Sequence, residues 1–594
     1  MCGIVGYVGK GEKTLSVLLA GLKHLEYRGY DSAGVAYLNK NNELIIKKEE
    51  GRVKKLEDSL DLSSYSNIGI GHTRWATHGV ANKANSHPHN VNKITVVHNG
   101  IIENYLELKE MLINKGYVFK SETDTEVGAA LLDYLYSKNN DMIETIKEFK
   151  KMVIGAYALG IINSDILDTM YVVKKNSPLI IGVKDEEKLI ASDVPAIIEE
   201  TNKYIILDDG DFAEIKKNNI ELYDKNNRKK SIIINTFENE NSVIDKNGYE
   251  HFMKKEIYEQ PEVIRKTSNT YIPNIEKYKR IVIVACGSAM HAGMVGKNLI
   301  ERYGNIPVDV EIASEFRYKK LFLDDSNLVI AISQSGETAD TLEAVKIAKN
   351  EGAYTLGIIN TFESSIAREV DKVIYTKAGP EIAVATTKGY TSQVEVLSMI
   401  AYLFSKNNKD ISYKKELREY MNDLKELPDV MNKVLENEDE YKDIAKLIYK
   451  NNDIFFIGRG IDYAVAMEGS LKLKEISYIH SEAYPAGELK HGTISLIDKD
   501  TPVIGIVTDS SISDKTISNL EEVNSRGGNI IYLTTNTSSK EEFYSHKIVL
   551  PKVNPLLQPI INILPLQLIS YHVAKLNKCD IDKPRNLAKS VTVE

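Results

Sequence analysis

The apolar positions along the chain change rhythm from one half to the other. Residues 4–8 read as a buried strand, and Leu15, Leu18, Leu19, Leu22 and Leu25 then recur at helical spacing, so a strand with an amphipathic helix packed on it is predicted. Residues 94–97 form another apolar strand, and after Ser121 a helix buries Val127, Ala130, Leu131, Tyr134 and Leu135 behind a Ser/Thr/Asp start that suits an N-cap. From Arg280 onward strands and helices alternate: 281–285 and 328–332 each precede a helix, which argues for a doubly wound parallel sheet. The pattern then recurs. Residues 453–460 start a second strand–loop–helix unit, and 502–507 stand where 328–332 stood in the first.

The expected organisation is therefore a first domain at 1–240, a linker at 241–276, two copies of one α/β domain at 277–425 and 440–580, and a tail at 581–594. Residues 216–248, rich in Lys, Asn, Asp and Glu, mark the boundary. Residues 251–266 read as largely helical, packed between the two halves, and 407–440 as a charged helical linker. The most apolar long stretch, 555–574, is interrupted by Gln558, Pro559, Asn562, Pro565 and Gln567, so it reads as buried helix and connection and not as a membrane span.

Composition narrows the partners. The 594 residues are 43% hydrophobic and 27% charged, as in ordinary globular domains. A net charge of -9 leaves no electrostatic footprint for nucleic acid or an anionic membrane. Cys2, Cys286 and Cys579 make no disulfide framework and fit no metal spacing, which points to a reducing, cytoplasmic setting; no metal and no cofactor are expected. No signal peptide is visible at the start.

Candidate chemistry begins at Cys2. With Met1 removed, it carries a thiol nucleophile and an α-amine that takes up a proton near neutral pH. The alternative is a small residue opening a buried strand. Further segments supply what a thiol attacking a carboxamide needs. Residues 71–79 gather His72, Arg74, Trp75, Thr77 and His78 between glycines, and His98-Asn99-Gly100 follows the strand at 94–97. Asn99 offers a side-chain N–H and Gly100 a backbone N–H for an oxyanion, Arg74 a fork for a carboxylate, and Asp124 a partner for an ammonium. Singly, each has a plainer reading: Asn-Gly is a common tight turn, Asp124 a helix cap and Arg74 a surface ion pair. Together the demands describe glutamine.

In the second half, residues 333–338 (Ser333, Gln334, Ser335, Gly336, Glu337, Thr338) lie between a strand and a helix. They offer hydroxyls, a carboxamide and a glycine at a helix N-terminus, chemistry suited to a phosphate, without the lysine of a nucleotide-binding loop. A Ser-rich helix cap is the plain alternative. The second copy has Thr508-Asp509-Ser510-Ser511 at that place, where an aspartate would repel phosphate, so binding is expected in the first copy only. Glu468, Lys472 and Glu475 share one helix face, which reads either as chemistry or as solvated ion pairs.

The segments beginning at Cys2, Tyr27, His72, His98 and Ser121 resemble the class II glutamine amidotransferase domain, an N-terminal-nucleophile αββα sandwich. The second half resembles a pair of sugar isomerase (SIS) domains, through 333–338, 471–480, 487–492 and the tail 584–594. Over its full length the chain is similar to the isomerising glutamine–fructose-6-phosphate aminotransferases, the glucosamine-6-phosphate synthase family. The resemblance implies two substrates, L-glutamine and D-fructose 6-phosphate.

It also implies roles. Cys2 is the nucleophile with its own amine as base, Asn99 and Gly100 stabilise the oxyanion, and Arg74, Thr77, His78 and Asp124 lie in the glutamine-binding segments. Trp75 gates a closed passage that keeps ammonia from bulk water, beside its plainer reading as a core tryptophan. Ser288, Ser333, Gln334, Ser335 and Thr338 hold the sugar phosphate. Lys589 forms a Schiff base with the open-chain ketose, and Glu475, supported by Lys472 and Glu468, moves a proton between C1 and C2. His491 opens the sugar ring from the neighbouring subunit of a homodimer, and the tail from Arg585 acts as a lid. Two departures stand out: Ala289 where relatives often have a second hydroxyl, and Gly389-Tyr390 where alanine and phenylalanine are common. Another class II amidotransferase, a non-catalytic SIS sugar-phosphate sensor and a fructosamine-phosphate deglycase are the competing readings.

Overall fold

A computed structural model describes residues 2–26, 29–75, 79–237, 245–406, 408, 413–537 and 543–592. The chain divides into two compact units, Met1–Ser242 with Ser590–Glu594, and Val243–Lys589.

In the N-terminal unit two antiparallel sheets lie face to face. The first has eight strands with Gly3–Val8 near its middle, paired to Glu187–Ala191 on one side and Ile68–Arg74 on the other. The second has six, with Ile94–Ile102 paired to Gly155–Asn163. Strand alternation builds the layers. Ile4, Val8, Ile68 and Ile70 meet Val97, Ala158, Ile162 and Val172 between the sheets. Val5 and Tyr7 point the other way, onto Leu15, Leu18 and Leu22 of the helix Thr14–Leu25. Behind the second sheet, Ile94 and Val96 pack against Leu131 of Asp124–Asn139 and Phe149 of Met142–Met152. The result is a helix–sheet–sheet–helix stack. Gly3 pairs with Thr73, so the central strand delivers Cys2 beside the end of Ile68–Arg74.

The C-terminal unit holds two five-stranded parallel sheets of one topology. In chain order of each repeat, the strands lie second, first, third, fourth, fifth. Asn327–Ser333 and Pro502–Val507 occupy the same third position. One core joins both sheets: Ile283 and Ile330 of the first and Phe456 and Ile504 of the second share it with the helices Gly287–Leu299, Lys388–Ser405, Ile461–Ser477 and Gln558–Leu576. Gln558–Leu576 is buried on every side through Ala574, and there Gln567 Oε1 accepts from the Gln260 amide at 2.7 Å.

The stretches read as linkers contribute to this core. Phe252–Thr267 buries Met253, Ile257 and Ile264 in it, and Lys414–Leu435 buries Tyr420, Leu424, Leu427 and Met431. Among the described residues, no helix is long and apolar enough to cross a membrane.

Candidate active sites

In the N-terminal unit Cys2 is half-buried. Its Sγ accepts from the Trp75 N–H at 3.3 Å and lies 3.5 Å from the Trp75 carbonyl, so Trp75 meets the thiol through its backbone. Burial pushes the thiol above its ordinary value, while the Trp75 N–H and the Arg74 guanidinium pull it back. Asn99 and Gly100 do not form a turn. They lie inside the strand Ile94–Ile102, opposite Ala158 and Tyr157. Gly100 has φ +130°, and a Cβ there would stand 2.0 Å from the Ala156 carbonyl oxygen, so only glycine fits.

The Asn99 amide donates through Nδ2 to the Cys2 carbonyl at 2.9 Å. His72 sets which way that amide faces. Its Nε2 lies 2.9 Å from the His98 carbonyl and 3.1 Å from Asn99 Oδ1, both acceptors, so Nε2 carries the proton and Oδ1 is held away from Cys2. His72 is fully buried and stacks on His87 at 4.1 Å, and Thr125 Oγ1 bridges His98 Nδ1 at 2.9 Å and His87 Nε2 at 3.3 Å. Burial lowers His72 to about 3 and holds His87 and His89 well below the ordinary imidazole value, so all three are neutral.

Arg74 is buried and donates to the Gly79 and Val80 carbonyls at 3.3 and 3.4 Å. Asp124 opens its helix behind the Thr123 cap, buried, with Oδ2 accepting from the Ile102 N–H at 2.8 Å. Thr77 and His78 lie outside the described residues.

In the C-terminal unit a cavity of about 160 Å³ opens at the carboxyl ends of the first parallel sheet, where such sheets take ligands. Ser333, Gln334, Ser335 and Thr338 line it, with Ser288, Lys472, Glu475 and Lys589. The loop is tight: the Gly336 N–H donates to Ser333 Oγ at 3.0 Å and the Glu337 N–H to Ser335 Oγ at 3.2 Å. Gly336 has φ +66°, and a Cβ there would lie 1.9 Å from Ser364 Oγ. Thr338 stands at the N-cap of Ala339–Asn350 with no side-chain cap bond, its hydroxyl 3.2 Å from that of Ser333.

Ser288 donates to Glu468 at 2.8 Å. Glu468 is fully buried and also takes His291 Nδ1 at 2.8 Å. Lys472 sits 2.6 Å from Glu475 and 3.5 Å from Glu468; burial opposes its charge, yet the two carboxylates outweigh this and raise it above the ordinary lysine value. The shared face of Glu468, Lys472 and Glu475 is thus no solvated stripe, since Glu468 and Lys472 are buried. His491 ends the short helix Glu488–His491, exposed and away from the cavity lining of this chain.

The sequence reading missed the group that holds Lys589. Its Nζ is 2.5 Å from Oε2 of the fully buried Glu381. Burial alone would raise Glu381, but the Lys589 ammonium and donors from Thr386 and Gly389 outweigh it and hold the carboxyl at about 2. Glu256, also buried, accepts from the Ile382 N–H at 2.5 Å; burial and the Glu381 charge push it up to about 8. Gln393 was missed as well. It lines the cavity, 2% exposed, and its Oε1 has no hydrogen-bond partner. The available signal for Glu381 was an acidic residue followed by an apolar run, Ile382 to Ala385, where a solvated charge is out of place.

The second repeat handles its matching loop differently. Asp509, expected to repel phosphate, is paired to Arg302 at 2.6 Å. The loop N–H groups are already occupied: Thr508 and Asp509 donate to the buried carboxylate of Asp462 at 2.7 and 3.1 Å.

Comparisons with known proteins agree on the whole chain. The SIS domain model matches residues 274–403 and 447–576, and the glutamine amidotransferase domain model matches 72–199. The chain is 47% identical over 614 residues to the glutamine–fructose-6-phosphate aminotransferase (isomerizing) of Clostridium tetani, covering 100% of both chains. It is 48% identical over 613 residues to that of Caldanaerobacter subterraneus and 45% over 615 to that of Thermococcus kodakarensis, again with 100% of both covered. The solved C-terminal domain of the glucosamine–fructose-6-phosphate aminotransferase from Francisella tularensis superposes with a TM-score of 0.55 at 40% identity, over 57% of this chain and 100% of that one. The chain belongs to the isomerising glutamine–fructose-6-phosphate aminotransferase family.

Proposed function

We propose that this enzyme transfers the amide nitrogen of glutamine to fructose 6-phosphate and isomerises the product to glucosamine 6-phosphate, releasing glutamate. The observation that carries the reading is a lysine, Lys589, brought into one cavity with a hydroxyl-rich loop at a helix N-terminus, in a chain whose other unit presents Cys2 to Asn99. Once Met1 is removed, the Cys2 thiol gives its proton to its own α-amine and attacks the amide carbon. A second N–H of Asn99, with that of Gly100, meets the oxyanion, since an amide nitrogen carries two donors. Ammonia leaves, and water cleaves the glutamyl thioester. Arg74 and Asp124 hold the two charged ends of glutamine, with Thr77 and His78 from the same segments, and Trp75 gates the site.

In the C-terminal unit, the 333–338 loop and the helix behind it hold the sugar phosphate, Ser288 turning its hydroxyl from Glu468 to help. Lys589 forms an imine at C2 of the open-chain ketose, and ammonia replaces the lysine. Glu475, held by Lys472, carries a proton from C1 to C2, which converts the C2 imine into the aldose amine. His491 is exposed in its own chain, which suits a role in ring opening in a neighbouring subunit of a homodimer. We place the enzyme in the cytoplasm, and take 1–240, 277–425 and 440–580 as its glutaminase and two SIS domains.

The test is a product assay with glutamine and fructose 6-phosphate on wild type and Cys2→Ala. The variant should lose glutamine-dependent synthesis and keep sugar-phosphate isomerisation. Persistent synthesis from glutamine would remove Cys2 from the mechanism, and loss of isomerisation in a folded variant would refute two separable sites.

A further inference from the structure

We propose that Glu381 is the counter-ion of the sugar-bearing lysine, holding the Lys589 ammonium in the cavity and then balancing the same positive charge when that nitrogen becomes an iminium. The inference rests on the reading of Lys589 as the imine-forming residue.

The geometry is that of a fixed anion. Glu381 is fully buried and the Lys589 side chain is 4% exposed. Oε2 contacts Nζ at 2.5 Å and also accepts from the Thr386 hydroxyl, while Oε1 accepts the N–H groups of Thr387 at 2.9 Å and Gly389 at 3.0 Å. Those donors come from the turn into the helix Lys388–Ser405, so the carboxylate cannot swing away when the lysine reacts. The neighbouring carboxylates are committed elsewhere: Glu475 to Lys472 and Glu468 to Ser288 and His291. Glu256 receives the Ile382 and Ala383 N–H groups.

The chemistry conserves the charge that Glu381 faces. As Nζ bonds to C2, one ammonium proton passes to the ketose oxygen. A second then leaves Nζ for that hydroxyl as the C2–O bond breaks and water departs. Ammonium plus carbonyl thus become iminium plus water, with one positive charge on nitrogen before and after. A carboxylate already in place needs no reorganisation during these steps. The geometry agrees with the lowered pKa of Glu381, held at about 2, which leaves the carboxylate ionised near neutral pH.

The experiment treats full-length wild type, Glu381→Gln and Glu381→Asp with fructose 6-phosphate and borohydride, maps the reduced sugar–lysine adduct by mass spectrometry, and measures synthesis. Glu381→Gln should lose at least about 100-fold in kcat and in adduct formation. Its KM for fructose 6-phosphate should stay within about threefold, because the phosphate loop is untouched. Circular dichroism and thermal melting transitions matching those of wild type report that the variant is folded. Glu381→Asp keeps the charge but is a methylene shorter, and should lose about tenfold in kcat. It carries the same comparison if the glutamine variant does not fold. Near-normal kcat and adduct in both variants, or a change confined to KM, overturns the counter-ion role. Absence of any adduct on Lys589 in wild type overturns the lysine reading itself, a distinguishable failure.

Discussion

The side-chain amide of Asn99 donates to the backbone carbonyl of Cys2 at 2.9 Å, across 97 residues of chain. The bond positions an amide at the candidate nucleophile, and a neutral buried His72 decides its orientation by donating to the other end. His72 acts on the site through Asn99.

Removing the Asn99 amide should therefore cost more than removing its support. Asn99→Ala is expected to lower glutaminase kcat by about 10²–10³-fold, the range for one oxyanion donor. His72→Phe preserves the stacked ring but lets the amide rotate, and roughly a tenfold loss in kcat with KM for glutamine little changed is expected. Steady-state hydrolysis of glutamine decides it. Wild-type kcat in His72→Phe would leave the orientation of Asn99 to other contacts.

Gly100 makes a sharper claim because two independent constraints meet there. Its φ of +130° is unfavourable for any side chain by roughly 1–3 kcal/mol, and a methyl would collide with the Ala156 carbonyl. Gly100→Ala should lower the melting temperature of the N-terminal unit and abolish glutamine hydrolysis, while sugar-phosphate isomerisation persists. A fully active glutaminase in that variant would contradict the strand geometry.

Glu256 gives the protein a pH-dependent stability of predictable sign. Folded, it titrates at about 8, against an ordinary value of 4.5. Between those values the folded state binds one proton more than the unfolded state, so stability falls as pH rises through the window, by at most about 1.4 kcal/mol per unit. Glu381 has the opposite sign: depressed to about 2, its contribution is complete above 4.5 and disappears only as pH falls through 2. Melting temperatures at pH 5 and pH 8 should differ less in Glu256→Gln than in wild type. An unchanged difference would mean that Glu256 is ionised in the folded protein.

Much of this was legible along the chain, for physical reasons that also mark where reading stops. Period-two and period-3.6 patterns report which face of an element is buried, and the strands at 281–285, 328–332 and 502–507 announced the two parallel sheets. Asn99-Gly100 resisted, because a turn and a strand carrying a conformationally special glycine look alike locally; only pairing with Ala158 and Tyr157 separates them. Glu381, Glu256 and Gln393 were silent for another reason. A buried acid is stabilised by partners far away in sequence, as Glu381 is by Lys589, so composition reads it as a surface charge. The charged periodic stretch at 407–440 was legible as a helix, Lys414–Leu435, but only tertiary packing shows Tyr420, Leu424, Leu427 and Met431 joining the core.

The two repeats fill the loop after their third strand differently. In the second repeat Asp462 accepts the Thr508 N–H at 2.7 Å, the Thr508 hydroxyl at 2.6 Å and the Asp509 N–H at 3.1 Å, so the protein's own carboxylate occupies donors of the kind that a phosphate would take. Asp462→Ala leaves those part-buried donors without their acceptor, which should destabilise the C-terminal unit by roughly 1–3 kcal/mol. Inorganic phosphate should then raise the melting temperature of Asp462→Ala more than that of wild type, because the vacated position again suits an anion and Arg302 already neutralises Asp509. Equal phosphate dependence in the two proteins would show that the second loop has lost the geometry of an anion site, and not merely had it filled from within.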